Sequence, residues 1–115
     1  MNLNSLLIGS EDPQRLADYY TKLFGPPIWD QDGFKSWQIG TGVVTVGPHD
    51  EVKGKNTQPG RLIWNVESSD VPDDFEKLTA AGARVVREPY QPGEGYWIAT
   101  LSDPDDNYFQ LVSPM

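Results

Sequence analysis

Cysteine is absent from this chain, which removes disulfides, thiolate nucleophiles and Cys-ligated zinc or iron–sulfur sites from consideration. Histidine occurs once, as His49 in Gly47-Pro48-His49-Asp50. A lone imidazole with no positioned partner supports neither a metal ligand nor a general base, and it reads as a solvated loop residue. Basic side chains are scarce, 9 against 17 acidic ones, for a net charge of -8. That field repels phosphate backbones and anionic lipid surfaces, so nucleic acid and membranes are excluded as expected partners. The acidic excess is read as solubility, with attraction of cations as the alternative. Long apolar runs are missing too: Leu6-Leu7-Ile8 is too short for a membrane span or a signal peptide, and no basic segment precedes it. Together with the missing cysteines, this predicts a cytoplasmic protein. No GxSxG, HExxH, Walker or dinucleotide fingerprint occurs, so nucleophilic hydrolysis and nucleotide chemistry have no motif behind them.

What the chain does contain is sufficient for one domain spanning 1–115, with 37% hydrophobic residues and rings from four Trp, five Tyr and four Phe. Leu3 to Ile8 reads as a strand. Asp12 then suits a helix N-cap and Pro13 the first helical position, where a missing N–H costs nothing. Leu16, Tyr19, Tyr20 and Leu23 share one helical face, and Gly25-Pro26-Pro27 ends the helix. Asp30 to Gly33 is a turn, flanked by Trp29 and Phe34 as a potential lid. Strands are predicted over Phe34 to Ile39 and Val43 to Val46. The polar stretch from Pro48 to Gly60 is a linker.

After it the same order begins again. Arg61 to Val66 is a strand, Asp70 an N-cap backed by Asp73, and Val71, Phe75 and Leu78 a helical face that ends at Ala80-Ala81-Gly82. Strands follow at Arg84 to Glu88, Tyr96 to Leu101 and Tyr108 to Val112. Asp103-Pro104-Asp105-Asp106-Asn107 is a turn between the last two, since Asp and Asn at these spacings cap backbone; the alternative, a cation site, is the weaker reading. The predicted class is therefore α+β. Two β-α-β-β-β repeats, about 1–47 and about 61–115, form curved mixed sheets that enclose a cup, with the helices outside.

Three segments resemble the vicinal oxygen chelate superfamily, which groups glyoxalase I, bleomycin-resistance proteins and extradiol dioxygenases. They are Asp12 to Tyr20 before Leu23-Phe24-Gly25, Ala80 to Ala83 before Val85-Val86, and Asp103 to Val112, which is similar to the family's DPDGN turn and closing strand. The resemblance implies a divalent metal held by His and Glu from the first and closing strands of each half. At the corresponding places this chain has Ser5, Thr45, Arg61 and Gln110, with Arg61 taken as the counterpart of Ser5 in the second half. Hard cations want carboxylates and borderline ones imidazole, so this set cannot build the metal site. No metal, no other cofactor and no catalytic residue are expected.

A cup without a metal must hold its occupant by shape, stacking and a few polar groups. Strand alternation places Ser5, Leu7, Thr45, Ile63, Asn65, Tyr108 and Gln110 on the open faces, together with Arg61 and Val43. Phe34, Trp37 and Trp97 complete the candidate ligand-binding set, although one residue of register would move either Trp to the opposite face. The rings favour a flat aromatic ligand by offset stacking, and Arg61 is the expected anchor for a carboxylate, phenolate or enolate. The leading expectation, supplied by the resemblance, is a metal-free protein that sequesters a small aromatic or polycyclic natural product or antibiotic. It would work as a homodimer, with exchange of halves across the linker as one route to it. The first alternative is a metal-dependent glyoxalase, isomerase or dioxygenase with a rearranged site. The second is an interaction module whose cup stays empty.

Overall fold

Both helices begin with the same local device, two residues after a serine. Ser10 Oγ accepts the Asp12 amide at 3.0 Å and Ser68 Oγ accepts the Asp70 amide at 3.2 Å. Each aspartate then caps a helix, accepting the amide of Arg15 at 3.2 Å or of Asp73 at 3.1 Å. Side-chain caps of this kind satisfy amides that have no partner within the helix, at about 1 kcal/mol each. The first helix, α1, runs Pro13–Phe24 and stops at Gly25, whose φ of 87° suits glycine and whose amide donates to Thr21 O. The second, α2, runs Val71–Ala80 and closes through Gly82 at φ 112°. On its surface Asp73 hydrogen-bonds Lys77 one turn on and, with the charge of Asp73 itself, holds that ammonium above its usual pKa.

The computed structural model describes residues 1–114, which divide into two compact units, one ending at Gly54 and the other beginning at Lys55. The first unit contains β1 Ser5–Ser10, α1, β2 Trp29–Gln31, β3 Phe34–Ile39 and β4 Gly42–Pro48, in the sheet order β1-β4-β3-β2. The second contains a short 3-10 turn at Pro59–Arg61, then β5 Ile63–Glu67, α2, β6 Arg84–Gly93, β7 Tyr96–Ser102 and β8 Tyr108–Val112, in the order β5-β8-β7-β6. The topology is the same in both units: the first strand pairs parallel to the last, and the other pairings are antiparallel. This is the predicted α+β class with two β-α-β-β-β repeats. Among the described residues no helix is long and apolar enough to cross a membrane.

Two features were not legible as periodicity. β2 is a short strand closed onto β3 by Asp32-Gly33, both with positive φ, 56° and 86°. That is the two-residue turn whose twist matches a hairpin, and Asp-Gly is its characteristic pair. β6 runs on past Glu88 to Gly93, with register irregularities along its pairing to β7.

In each unit the helix covers one sheet face, and apolar side chains alternate onto it. Ile8, Val44, Val46 and Trp37 pack under α1 with Leu16 and Tyr20. Trp64 stacks on Phe109 at 4.8 Å in the second unit, where Leu101 and Leu111 are buried beside them. Full burial of such side chains contributes about 1.5–3 kcal/mol each.

The acidic turn between β7 and β8 is closed by one buried carboxylate. Asp103 Oδ1 accepts the amides of Asp105 at 2.9 Å and Asn107 at 3.0 Å, and Oδ2 accepts Asn107 Nδ2 at 3.0 Å. Every one of these bonds is turn chemistry, as the sequence predicts. Replacing Asp103 with Ala strands two amides in a buried turn, and we expect a loss of about 2–4 kcal/mol in urea denaturation.

Candidate functional site

The face of each sheet opposite its helix carries the remaining candidate residues, and strand register arranges them in rows. In the first unit Leu7 pairs with Thr45, Thr45 with Ser36 and Ser36 with Trp29, a row crossing all four strands. Its centre is a hydroxyl pair, Ser36 Oγ and Thr45 Oγ1 at 2.7 Å. Its ends are exposed apolar groups, Leu7 and Trp29. Ser5 lies next to Val43 one step along. In the other direction two glycines, Gly9 and Gly47, pair in the floor. The Phe34 ring occupies the space above Gly47, where any Cβ would fall within the ring, and the Cβ of His49 sits over Gly9.

His49 is thus at the margin of this face. Its Nδ1 accepts the Glu51 amide at 3.2 Å and lies 3.7 Å from Asp50 Oδ1, which is the arrangement of a turn residue. Among the described residues no three His, Asp or Glu side chains converge as a metal site would require.

The equivalent row in the second unit runs Asn65, Gln110, Thr100, Arg87. Gln110 Nε2 donates to Thr100 Oγ1 at 3.1 Å, so Gln110 and Thr100 repeat the positions and pairing of Thr45 and Ser36. On one side lie Ile63, Tyr108, Ser102 and Arg84, and on the other Glu67, Val112, Ile98 and Tyr90. The guanidinium carbon of Arg87 stands 3.5 Å from the centre of the Tyr90 ring.

Three sequence-based assignments are corrected here. Trp37 pairs with Val44, is 2% exposed and donates its indole N–H to Gly25 O at 2.9 Å, so it is core under α1 and not a ligand contact. Trp97 alternates with Ala99 and Leu101 on the helix-covered side, where it borders a cleft of about 340 Å³ beside the start of α2. Arg61 is not the counterpart of Ser5. The register makes Ile63 that residue, because Ile63 pairs with Tyr108 as Ser5 pairs with Val43. Arg61 precedes β5, in the 3-10 turn, with Nε and an Nη held on Gln58 Oε1 at 3.1 and 2.6 Å.

Ser5, Leu7, Phe34 and Thr45 are brought together on the first open face, and Ile63, Asn65, Tyr108 and Gln110 on the second. Sequence reasoning passed over Arg87 and Tyr90 and left Trp29 out of the ligand set. The Asp32-Gly33 pair was the available signal for Trp29, since a two-residue hairpin turn requires a strand on each side.

The fold and these rows can be set beside known proteins. A family model described as "Glyoxalase-like domain" matches residues 5–112. This chain belongs to the glyoxalase-like domain family, within the vicinal oxygen chelate superfamily. Solved structures of similar fold include a glyoxalase-related enzyme from Fulvimarina pelagi, with a TM-score of 0.76 and 20% identity over 99% of this chain and 88% of that one. A glyoxalase/bleomycin resistance protein/dioxygenase family enzyme from Burkholderia phytofirmans PsJN matches with a TM-score of 0.76 and 20% identity over 100% of both chains. TioX from Micromonospora sp. ML1 matches with 0.74 and 21% over 99% and 97%. At these identities the likeness is one of fold. No curated protein matches the sequence.

The metal that the family implies is a poor fit to the residues present. In the closing strands Thr45 and Gln110 are hydrogen-bonded to Ser36 and Thr100, and in the first strands the positions are Ser5 and Ile63. Neutral hydroxyl, amide and alkyl groups do not replace the carboxylates and imidazoles that divalent ions require.

The contact between Phe34 and Gly47 yields a direct test of the first face. Gly47→Ala forces the ring aside, and overpacking of this kind costs about 1–3 kcal/mol. Adding Phe34→Ala to it should recover most of that loss in a double-mutant cycle read by thermal or urea unfolding.

Proposed function

We propose that this protein is a metal-free binding protein that takes up a small, flat aromatic or polycyclic compound on its open sheet faces and holds it unchanged. The observation that carries this reading is the pairing of Ser36 with Thr45 and of Gln110 with Thr100, Thr45 and Gln110 being the closing-strand positions at which the resemblance implies metal ligands. Such pairs present hydroxyl and amide edges suited to a neutral or weakly polar ring system. Leu7, Trp29 and Phe34 supply apolar and aromatic surface on the first face, while Ile63, Ile98 and Tyr108 supply it on the second. Aromatic stacking adds about 0.5–1.5 kcal/mol per pair beyond area burial. Ser5, Asn65 and Gln110 are the proposed polar contacts. Drug sequestration is part of the proposal; one neighbour of similar fold carries the mixed group name glyoxalase/bleomycin resistance protein/dioxygenase family enzyme. We further propose a cytoplasmic homodimer, in which a second copy helps to enclose the ligand.

Trp29 makes the reading measurable. Trp37, Trp64 and Trp97 lie on the helix-covered sides, whereas Trp29 is 47% exposed at the end of the first open row. A flat aromatic compound bound there should quench tryptophan emission saturably in the wild type, and Trp29→Phe should remove most of that quenching while leaving the circular dichroism spectrum intact.

Metal analysis of protein purified without chelator should find less than stoichiometric nickel, zinc, iron and manganese. Tightly held metal at one equivalent per chain would overturn the reading in favour of an enzyme with a rearranged site.

A further inference from the structure

The geometry points to an anion-recognition element on the second open face, built from Arg87 and Tyr90, and hence to a planar aromatic acid as the ligand class. This inference rests on the reading of the open faces as ligand surfaces, and it adds the ligand's charge.

Arg87 and Tyr90 are three residues apart, so in a regular strand they would project to opposite faces. Here they share one. Val85 pairs with Leu101, Arg87 with Thr100 and Tyr90 with Ile98, with a register irregularity before Arg87 and another before Tyr90. The first irregularity turns Arg87 away from the side of Val85 and Leu101 and onto the row of Thr100 and Gln110. The second brings Tyr90 onto the same face, where its ring lies 3.5 Å from the guanidinium carbon. Bulges that re-aim a side chain are enriched beside functional sites.

The charge is also out of balance with its surroundings. The chain carries a net charge of -8, yet no carboxylate among the described residues forms an ion pair with Arg87. Stacking on Tyr90 occupies the flat side of the guanidinium and leaves its N–H edges available, in the plane suited to a bidentate carboxylate. The adjacent Thr100–Gln110 pair and Ile98 extend the surface for the attached ring.

The test uses two fluorescent probes of one shape, 1-anilinonaphthalene-8-sulfonate and the neutral N-phenyl-1-naphthylamine, titrated into wild type, Arg87→Ala, Arg87→Lys and Arg61→Ala. The sulfonate stands in for the acid group of the ligand. Losing a charge-assisted hydrogen bond should weaken the anionic probe about tenfold or more in Arg87→Ala, with less than about a twofold change for the neutral one. Arg87→Lys should fall between, because it keeps the charge and loses the planar fork. Arg61→Ala should bind both probes like the wild type. Circular dichroism melts of the exposed-site variants confirm that the fold is retained.

Equal changes for both probes in Arg87→Ala, no change for either, or a selective loss in Arg61→Ala would overturn the inference while leaving the binding function standing. Failure of the wild type to take up either probe saturably would overturn the binding function and this inference with it.

Discussion

Everything in the candidate site depends on the alternation of side chains across a sheet whose one face is sealed by a helix. In the first unit Leu16, Tyr20, Trp37 and Val46 are almost wholly removed from solvent, and in the second Val71, Leu101 and Phe109 are. A slip of one residue in any strand would turn its buried set outward, at about 1.5–3 kcal/mol per large side chain. That penalty locks the register. Once it is locked, the identity of the opposite face follows: Leu7, Thr45 and Ser36 in one sheet, Asn65, Gln110 and Thr100 in the other.

The two rows therefore sit on equivalent scaffold positions but carry different chemistry. The first ends in Leu7 and Trp29 and is bordered by the Phe34 ring on a floor of paired glycines. The second is polar along its length and ends in Arg87. Both centre on a hydrogen-bonded side-chain pair, hydroxyl to hydroxyl or amide to hydroxyl. Such a surface has directional hydrogen-bonding groups and no concentrated negative charge, which suits recognition of an organic ring system more than capture of a cation.

Local signals were the most legible part of this chain. Asp12 was readable as a cap from the Pro13 that follows it and Asp70 from the Asp73 three residues on, and both cap as read. The Phe34–Ile39 and Tyr108–Val112 strands and the closing acidic turn were readable for similar reasons. The faces of Trp37 and Trp97 were not, since a shift of one residue in register exchanges the two sides of a strand. The Ser5 counterpart was also missed, because β5 starts two residues after Arg61, beyond a 3-10 turn that carries no distinct signal.

The sequence alone determined the class of the fold, its internal repeat and the helix boundaries, because these rest on residue type and short-range spacing. Only the tertiary structure decided which tryptophan stands on an open face and that Arg87 and Tyr90 meet. Pairing between strands settles both: an indole takes its side from the neighbour across the ladder, and the two irregularities in β6 reverse the side that simple alternation would assign.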